Sequence, residues 1–86
     1  MGYADQRDLE RRLFGLVIKR FRTNKGMSQE TLAEHLGNES VSTVSQLERG
    51  IKSPTVETLQ RVAAALEVPP SELLIAFQLD IAQHRK

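Results

Sequence analysis

Turn-forming residues divide this chain into five segments, each of a length suited to a helix. The turns are marked by Lys25-Gly26, Gly37-Asn38, Gly50, Ser53-Pro54 and Pro69-Pro70, which are residue types that favour tight turns. No segment alternates apolar and polar residues as a strand does, and β-branched residues do not cluster. The chain is therefore predicted to be an all-α protein, a compact five-helix bundle that forms a single domain over residues 1–86.

Apolar residues recur at helical spacing within the segments. In the first, Phe14, Ile18 and Phe21 stand at i, i+4 and i+7. Ser28 is a predicted N-cap of the second helix, and Pro70 suits the first turn of the fifth. The predicted helices cover about 5–24, from Ser28 to Gly37, from near Ser40 to Gly50, a stretch after Thr55, and about 70–84.

Composition excludes several classes of protein. The chain has no cysteine and two histidines, so no disulfide, thiolate chemistry, metal site or cofactor is expected. No Gly-rich phosphate loop or catalytic triad pattern is present, so we expect no enzyme and see no evident small-molecule ligand. The start lacks the apolar core of a signal peptide, and no apolar run approaches the ~20 residues of a membrane span. A soluble cytoplasmic protein without a membrane partner is the simple interpretation.

The charge distribution is uneven along the chain. Residues 1–26 contain seven basic and three acidic side chains, residues 27–50 contain one and four, and the remainder contains four of each. A protein that relied on phosphate attraction alone would have more lysine and arginine than this. The net charge of +1 is thus weak evidence for a nucleic-acid partner, and the basic side chains are concentrated in the first helix.

The second and third segments have the most informative pattern. Leu32, Ala33 and Leu36 form an inward stripe on one helix, and Val44 and Leu47 do so on the next. The opposite stripe of the third helix is polar and mostly uncharged, consisting of Ser42, Ser45, Gln46 and Arg49. Such a helix can lie in a DNA major groove, where bulky side chains would hold it away from base edges. A helix-turn-helix is predicted over about 28–49.

At these residues the chain resembles the lambda-repressor-like helix-turn-helix family, also called the XRE family, which includes phage repressors and restriction-modification controller proteins. The resemblance covers roughly Phe14 to Leu74. It consists of Phe14-Gly15-x-x-Ile18-x-x-Phe21-Arg22, Gly26-x-Ser28-Gln29, Leu32-Ala33, Val44-Ser45-x-x-Glu48-x-Gly50, Pro54-Thr55 and Ser71-Glu72-Leu73-Leu74. From Gln29 to Glu48 the chain is one residue longer than the usual family spacing, and the extra residue lies within 37–40.

The resemblance implies a five-helix domain whose third helix reads double-stranded DNA, usually as a dimer on an inverted repeat. It assigns base contacts to Val41, Ser42, Thr43, Ser45 and Gln46, and a phosphate contact to Gln29. Arg22 and Glu48 match the family's structural ion pair. Arg49 and Lys52 flank Gly50 and are expected at the DNA backbone. Several of these residues also have an interpretation that involves no DNA. Ser42 and Thr43 are of types that commonly cap helices, and Gln46, Arg49 and Lys52 suit a solvated surface.

The fifth helix contains two apolar stripes. Leu73, Leu74, Phe77 and Ile81 form the first, which is expected to face the core of the bundle. Ile75, Leu79 and Ala82 form the second, which would be exposed in a monomer and is predicted to be the interface of a homodimer. The alternative is that the last dozen residues fray or fold back over Leu9 and Leu13.

The predicted function is a sequence-specific transcription regulator, a dimeric repressor or controller on an inverted-repeat operator. The alternative is a protein-interaction module, such as the antitoxin of a toxin–antitoxin pair. The low charge of residues 27–50 keeps that alternative open.

Overall fold

The structure, a computed structural model, describes residues 3–84, with side chains described from residue 6 onward. Within that range the chain forms five α-helices and no strand, which confirms the predicted all-α bundle. The helices are α1 (Tyr3–Asn24), α2 (Gln29–His35), α3 (Val41–Glu48), α4 (Val56–Ala65) and α5 (Pro70–His84).

Hydroxyl side chains cap the starts of the three central helices. Ser28, Ser40 and Thr55 precede α2, α3 and α4, and each accepts a hydrogen bond from the backbone N–H three residues further on. Such a cap typically stabilises a helix by about 0.5–2 kcal/mol. The predicted starts at Ser28 and Thr55 are confirmed. The third helix is slightly shorter than predicted, because Ser40 is its cap and the backbone already leaves the helix at Gly50, where φ is +75°.

All five helices contribute to one apolar core. Because each helix presents its stripe inward, the aliphatic side chains interlock at the centre, and each fully buried one contributes roughly 1.5–3 kcal/mol. The buried members are Phe14, Val17 and Ile18 from α1, Leu32, Ala33 and Leu36 from α2 and its end, Val44 and Leu47 from α3, Val62, Ala63 and Leu66 from α4 and its end, and Leu73 from α5.

Helices α1 and α3 touch through their backbones at Gly15. A Cβ at this position would lie 2.7 Å from the carbonyl carbon of Glu48 and would also press against the carbonyl oxygens of Leu47 and Glu48. Backbone atoms cannot rotate out of the way as a side chain can, so no larger residue fits without moving a helix. Gly15 therefore sets how closely α3 lies on α1.

The turn between α2 and α3 accommodates the extra residue within 37–40. Gly37 and Asn38 adopt φ values of +94° and +61°, the left-handed region that glycine and asparagine tolerate best. The N–H groups of Asn38 and Glu39 donate to the carbonyl oxygens of Glu34 and Ala33 at 3.1 and 3.0 Å. Asn38 and Glu39 are exposed, so the turn is held by backbone hydrogen bonds and not by a buried side chain.

The position of Leu74 differs from the prediction. Leu73 is fully buried, but Leu74 is 42% exposed. The face of α5 that meets the bundle consists of Leu73, Ala76, Phe77, Asp80 and Ile81, which are buried or half-buried, at helical spacings of three and four residues. Leu74 lies about 100° away from Leu73 around the helix, so it falls at the edge of that face. The expectation that Leu74 faces the core was wrong.

No single helix in the described part of the chain is long and apolar enough to cross a membrane. Only α4 and α5 taken together reach that length and composition, and they are bent by 108° at their junction.

Candidate nucleic-acid interface

Helix α3 has one buried face and one exposed face. Val44, Leu47 and Glu48 are buried against α1 and α2. On the opposite side, Ser42 and Arg49 are exposed and Gln46 is half-buried. This face has polar side chains, and the buried face behind it packs against α1 and α2. That packing determines which side of α3 is exposed, and the exposed side has hydrogen-bonding groups.

A buried ion pair fixes α3 to α1. Arg22 and Glu48 are 8% and 6% exposed. The guanidinium of Arg22 donates from Nε to Glu48 Oε2 at 2.6 Å and from Nη2 to Glu48 Oε1 at 3.0 Å. Nη1 donates to the carbonyl oxygen of Met27 at 2.8 Å. This bidentate arrangement is the strongest form of an arginine–carboxylate contact, and it brings together the two residues that the resemblance paired.

Gln29 is a third member of this network. Its side-chain Nε2 donates to Glu48 Oε1 at 3.0 Å, which fixes the first residue of α2 relative to α3. Sequence reasoning assigned Gln29 to a phosphate and missed this contact. The side-chain NH₂ has two hydrogens, so one remains available after the bond to Glu48.

The five residues assigned to base contacts do not share one face. Ser42 and Gln46 lie on the outward face, and Ser45 lies beside them, half-buried next to Gln29. Val41 is 41% exposed at the first turn of α3. Thr43 is half-buried, its hydroxyl pairs with that of Ser40 at 3.1 Å, and it lines a small cavity of about 130 Å³ with Leu36 and Arg61.

Arg49 and Lys52 lie on opposite sides of α3. Arg49 borders a groove together with Gln29 and residues of α1. Lys52 borders the cavity that Thr43 and Arg61 line. The backbone N–H of Lys52 donates to the carbonyl oxygen of Gln46 at 3.3 Å, which holds this residue close to the end of the helix.

Two further arginines hold the turns at the ends of α3, and sequence reasoning missed both. Arg11 donates to the carbonyl oxygen of Gly50 at 3.3 Å, and Arg61 donates to the carbonyl oxygen of Leu36. Both contacts join residues more than twenty positions apart in the sequence. No local pattern marks such residues, because any surface arginine on α1 or α4 has the same appearance in the sequence.

The second apolar stripe of α5 is exposed. Ile75 and Leu79 are 58% and 60% exposed, and Ala82 is exposed beside them. These three residues are therefore not part of the core of the single chain, and they lie on α5 away from Leu73 and Phe77.

Two short helices joined by a turn, the second presenting a polar face to solvent, define a helix-turn-helix protein. The chain belongs to the helix-turn-helix family, whose profile matches residues 18–73, in agreement with the XRE resemblance. The fold and the family are those of DNA-binding transcription regulators, which are not enzymes.

The chain is 37% identical over 65 residues to the uncharacterized HTH-type transcriptional regulator YazB of Bacillus subtilis, and the match covers 76% of this chain and 93% of YazB. Among solved structures, it is similar to the clp gene regulator ClgR of Corynebacterium glutamicum, with a TM-score of 0.77 and 32% identity over 83% of this chain and 91% of that one. It is also similar to the restriction-modification controller protein C.AhdI of Aeromonas hydrophila, with a TM-score of 0.70 and 38% identity over 83% of this chain and 98% of that one.

Proposed function

We propose that this chain is a dimeric, sequence-specific transcription regulator that inserts α3 into the major groove of an inverted-repeat operator. The observation that supports this most is the outward polar face of α3, rigidly mounted through Glu48 and Gly15. A protein that reads bases needs hydrogen-bonding groups at a fixed position, since each good base contact contributes only about 1–3 kcal/mol of discrimination.

Base reading is assigned to the outward face. Gln46 has both a donor and an acceptor at its amide, which matches the donor and acceptor that adenine presents in the major groove. Ser42 and Ser45 are short enough to let the helix approach the bases, and Val41 offers methyl groups to a thymine methyl. Thr43 contributes less, since its hydroxyl is engaged by Ser40.

Phosphate contacts are assigned to both flanks of α3. Gln29 and Arg49 border the same groove on one side, and Lys52 lies on the other. A helix in the major groove has a phosphate backbone on each side, so this arrangement suits contacts to both strands. Such contacts position the protein without reading sequence.

Dimerisation is assigned to Ile75, Leu79 and Ala82 on α5. An exposed cluster of two large aliphatic residues and an alanine favours self-association, because a twofold axis buries the same stripe on both copies. A dimer of this kind would present two α3 helices to the same side of a duplex. Bound across a promoter, the dimer would act as a repressor or controller. With this function we also propose a cytoplasmic location, where such DNA is accessible.

The proposal is tested by selecting bound sequences from random duplex DNA at moderate salt. We expect enrichment of an inverted repeat whose half-sites lie about one helical turn apart. Recovery of sequences without palindromic enrichment would contradict the dimeric operator.

The charge balance favours a second candidate, a protein-interaction module such as an antitoxin. Residues 27–50 contain four acidic side chains and one basic, which opposes DNA binding by this segment alone. Such a module would share this fold and could also bind its own operator, so the genes beside this one separate the two candidates. An adjacent toxin gene, and a stable complex of this protein with the product of that gene, would favour the interaction module.

A further inference from the structure

The lysine and arginine side chains in the described part of the chain divide into two groups. Arg7 has an interaction, and five others have identified partners. Arg11 binds Asp8, Arg20 binds Asp80, Arg22 binds Glu48, Lys25 binds Glu67, and Arg61 binds the carbonyl oxygen of Leu36. Within that described part, four remain without a hydrogen-bond or ion-pair partner. Two are Arg49 and Lys52, already assigned to phosphates, and the other two are Arg12 and Lys19 on α1.

Arg12 and Lys19 lie on one face of α1, next to the surface proposed to meet DNA. They are seven residues apart, which is close to two helical turns and places them in line. Both are exposed, and both border the groove of about 490 Å³ that Gln29, Ser45 and Arg49 also line. The groove thus runs without a break from α1 to the start of α2 and the end of α3.

The groove is positively charged despite the acidic side chain in its lining. Glu48 lines the groove, but Arg22 neutralises its carboxylate through two hydrogen bonds. Arg12, Lys19 and Arg49 then leave three uncompensated positive charges along one surface. Residues 27–50 provide only Arg49 of these, so α1 supplies the charge that the helix-turn-helix lacks.

We infer that Arg12 and Lys19 bind backbone phosphates that flank the base pairs read by α3, so that α1 is part of the DNA interface. This inference rests on the proposed DNA binding. It accounts for the uneven distribution of charge in the sequence, because the basic first helix and the nearly uncharged reading helix form one continuous surface. The chemistry is recognition of duplex phosphates by cationic side chains, which needs no particular base sequence.

The test compares two double variants that remove the same amount of charge, one from within α1 and one from α1 and the turn that follows it. Arg12→Gln with Lys19→Gln removes the two unpartnered cations. Arg20→Gln with Lys25→Gln is the matched control, because these cations are paired to Asp80 and Glu67 at 3.5 Å each. For each protein, the association constant with the selected duplex and with a scrambled duplex is measured as a function of salt concentration.

We expect the Arg12/Lys19 variant to flatten the slope of log K against log salt by about 1.8, since each lost phosphate contact changes it by about 0.9. When the salt concentration rises from about 50 to about 200 mM, the fold-decrease in affinity of this variant should be about twelvefold smaller than that of the unchanged protein, on both duplexes. The control should retain the original slope. The charge-conserving variant, Arg12→Lys with Lys19→Arg, should retain it as well.

An unchanged slope in the Arg12/Lys19 variant, or an equal change in the control, would overturn the inference. That result is distinct from failure of the proposed function. If the unchanged protein does not prefer the selected duplex over the scrambled one, the function itself is wrong, and the inference fails with it.

Discussion

At the scale of single residues, Glu48 joins three parts of the chain. Its carboxylate accepts hydrogen bonds from Arg22 on α1 and from Gln29 on α2 while its backbone belongs to α3. Both members of the ion pair are buried, so the interaction is little screened by solvent. Losing either partner leaves a charge inside the protein without compensation.

Replacing Glu48 with alanine should therefore lower the free energy of unfolding by about 3–5 kcal/mol, the usual effect of removing one partner from a buried pair. Chemical denaturation measures this directly. Arg20→Ala is the control, since its pair with Asp80 is far more exposed and should contribute less than about 1 kcal/mol. Equally small losses in the free energy of unfolding of both variants would contradict the burial of the Arg22–Glu48 pair.

Gln46 lies on α3 and Arg49 directly follows the last residue of that helix, but the two residues have different proposed roles. Gln46→Ala should weaken binding to the selected duplex by about 1–3 kcal/mol and relax the preference at one base position. Arg49→Ala should weaken binding to all duplexes alike and flatten the salt slope by about one. Competition binding with single-base variants of the duplex separates these results. If Gln46→Ala weakens cognate and scrambled duplexes equally, Gln46 does not read a base.

At the scale of helices, the close contact between α1 and α3 depends on Gly15, which has no Cβ. Gly15→Ala would place a methyl group against the backbone of Leu47 and Glu48. Overpacking of this kind typically costs about 1–3 kcal/mol, and here the obstructing atoms are backbone, so we expect the upper end of that range or more. The midpoint of thermal unfolding should fall accordingly. Leu16→Ala, at an exposed position next to it, should change stability little, and similar stability of the two variants would argue against the close crossing.

The helices themselves were largely predictable from the sequence. The cap at Ser28, a helix that begins after Thr55, and Pro70 in the first turn of α5 follow from local signals. The structure has helices beginning at Gln29, Val56 and Pro70. The extent of α5 was also anticipated, because its spacing and its proline depend only on neighbouring residues. Leu74 was assigned incorrectly because two apolar residues in a row leave open which one faces inward, and only the positions of α1 and α4 decide it.

The contacts within the candidate site were less predictable. The pairing of Arg22 with Glu48 came from family resemblance, since residues twenty-six positions apart give no local signal. The bond from Gln29 to Glu48 and those from Arg11 and Arg61 to distant carbonyl oxygens depend on the tertiary arrangement. The basic groove has the same origin, because Arg12 and Lys19 appear in the sequence as ordinary surface residues of a long helix.

At the scale of the whole molecule, the exposed stripe of α5 leads to a prediction about assembly. Leu79→Glu should convert a dimer into a folded monomer that binds its operator much more weakly, since the carboxylate would be buried against its own copy. Sedimentation velocity gives the mass, and circular dichroism checks the fold. Leu74→Glu is the matched control, because Leu74 is an exposed leucine outside the stripe and its replacement should leave the dimer intact. A Leu79→Glu protein that still sediments as a dimer would show that the interface lies elsewhere.

The central claim is that the chain recognises an inverted repeat as a dimer through α3. The most direct measurement is a titration of the protein into three labelled duplexes at moderate salt: the selected inverted repeat, a single half-site and a scrambled sequence. We predict two chains bound per inverted repeat, with an affinity at least about 10³-fold higher than for the scrambled duplex and clearly weaker binding to the half-site. Equal affinity for all three duplexes, or saturation by one chain per repeat, would contradict the claim.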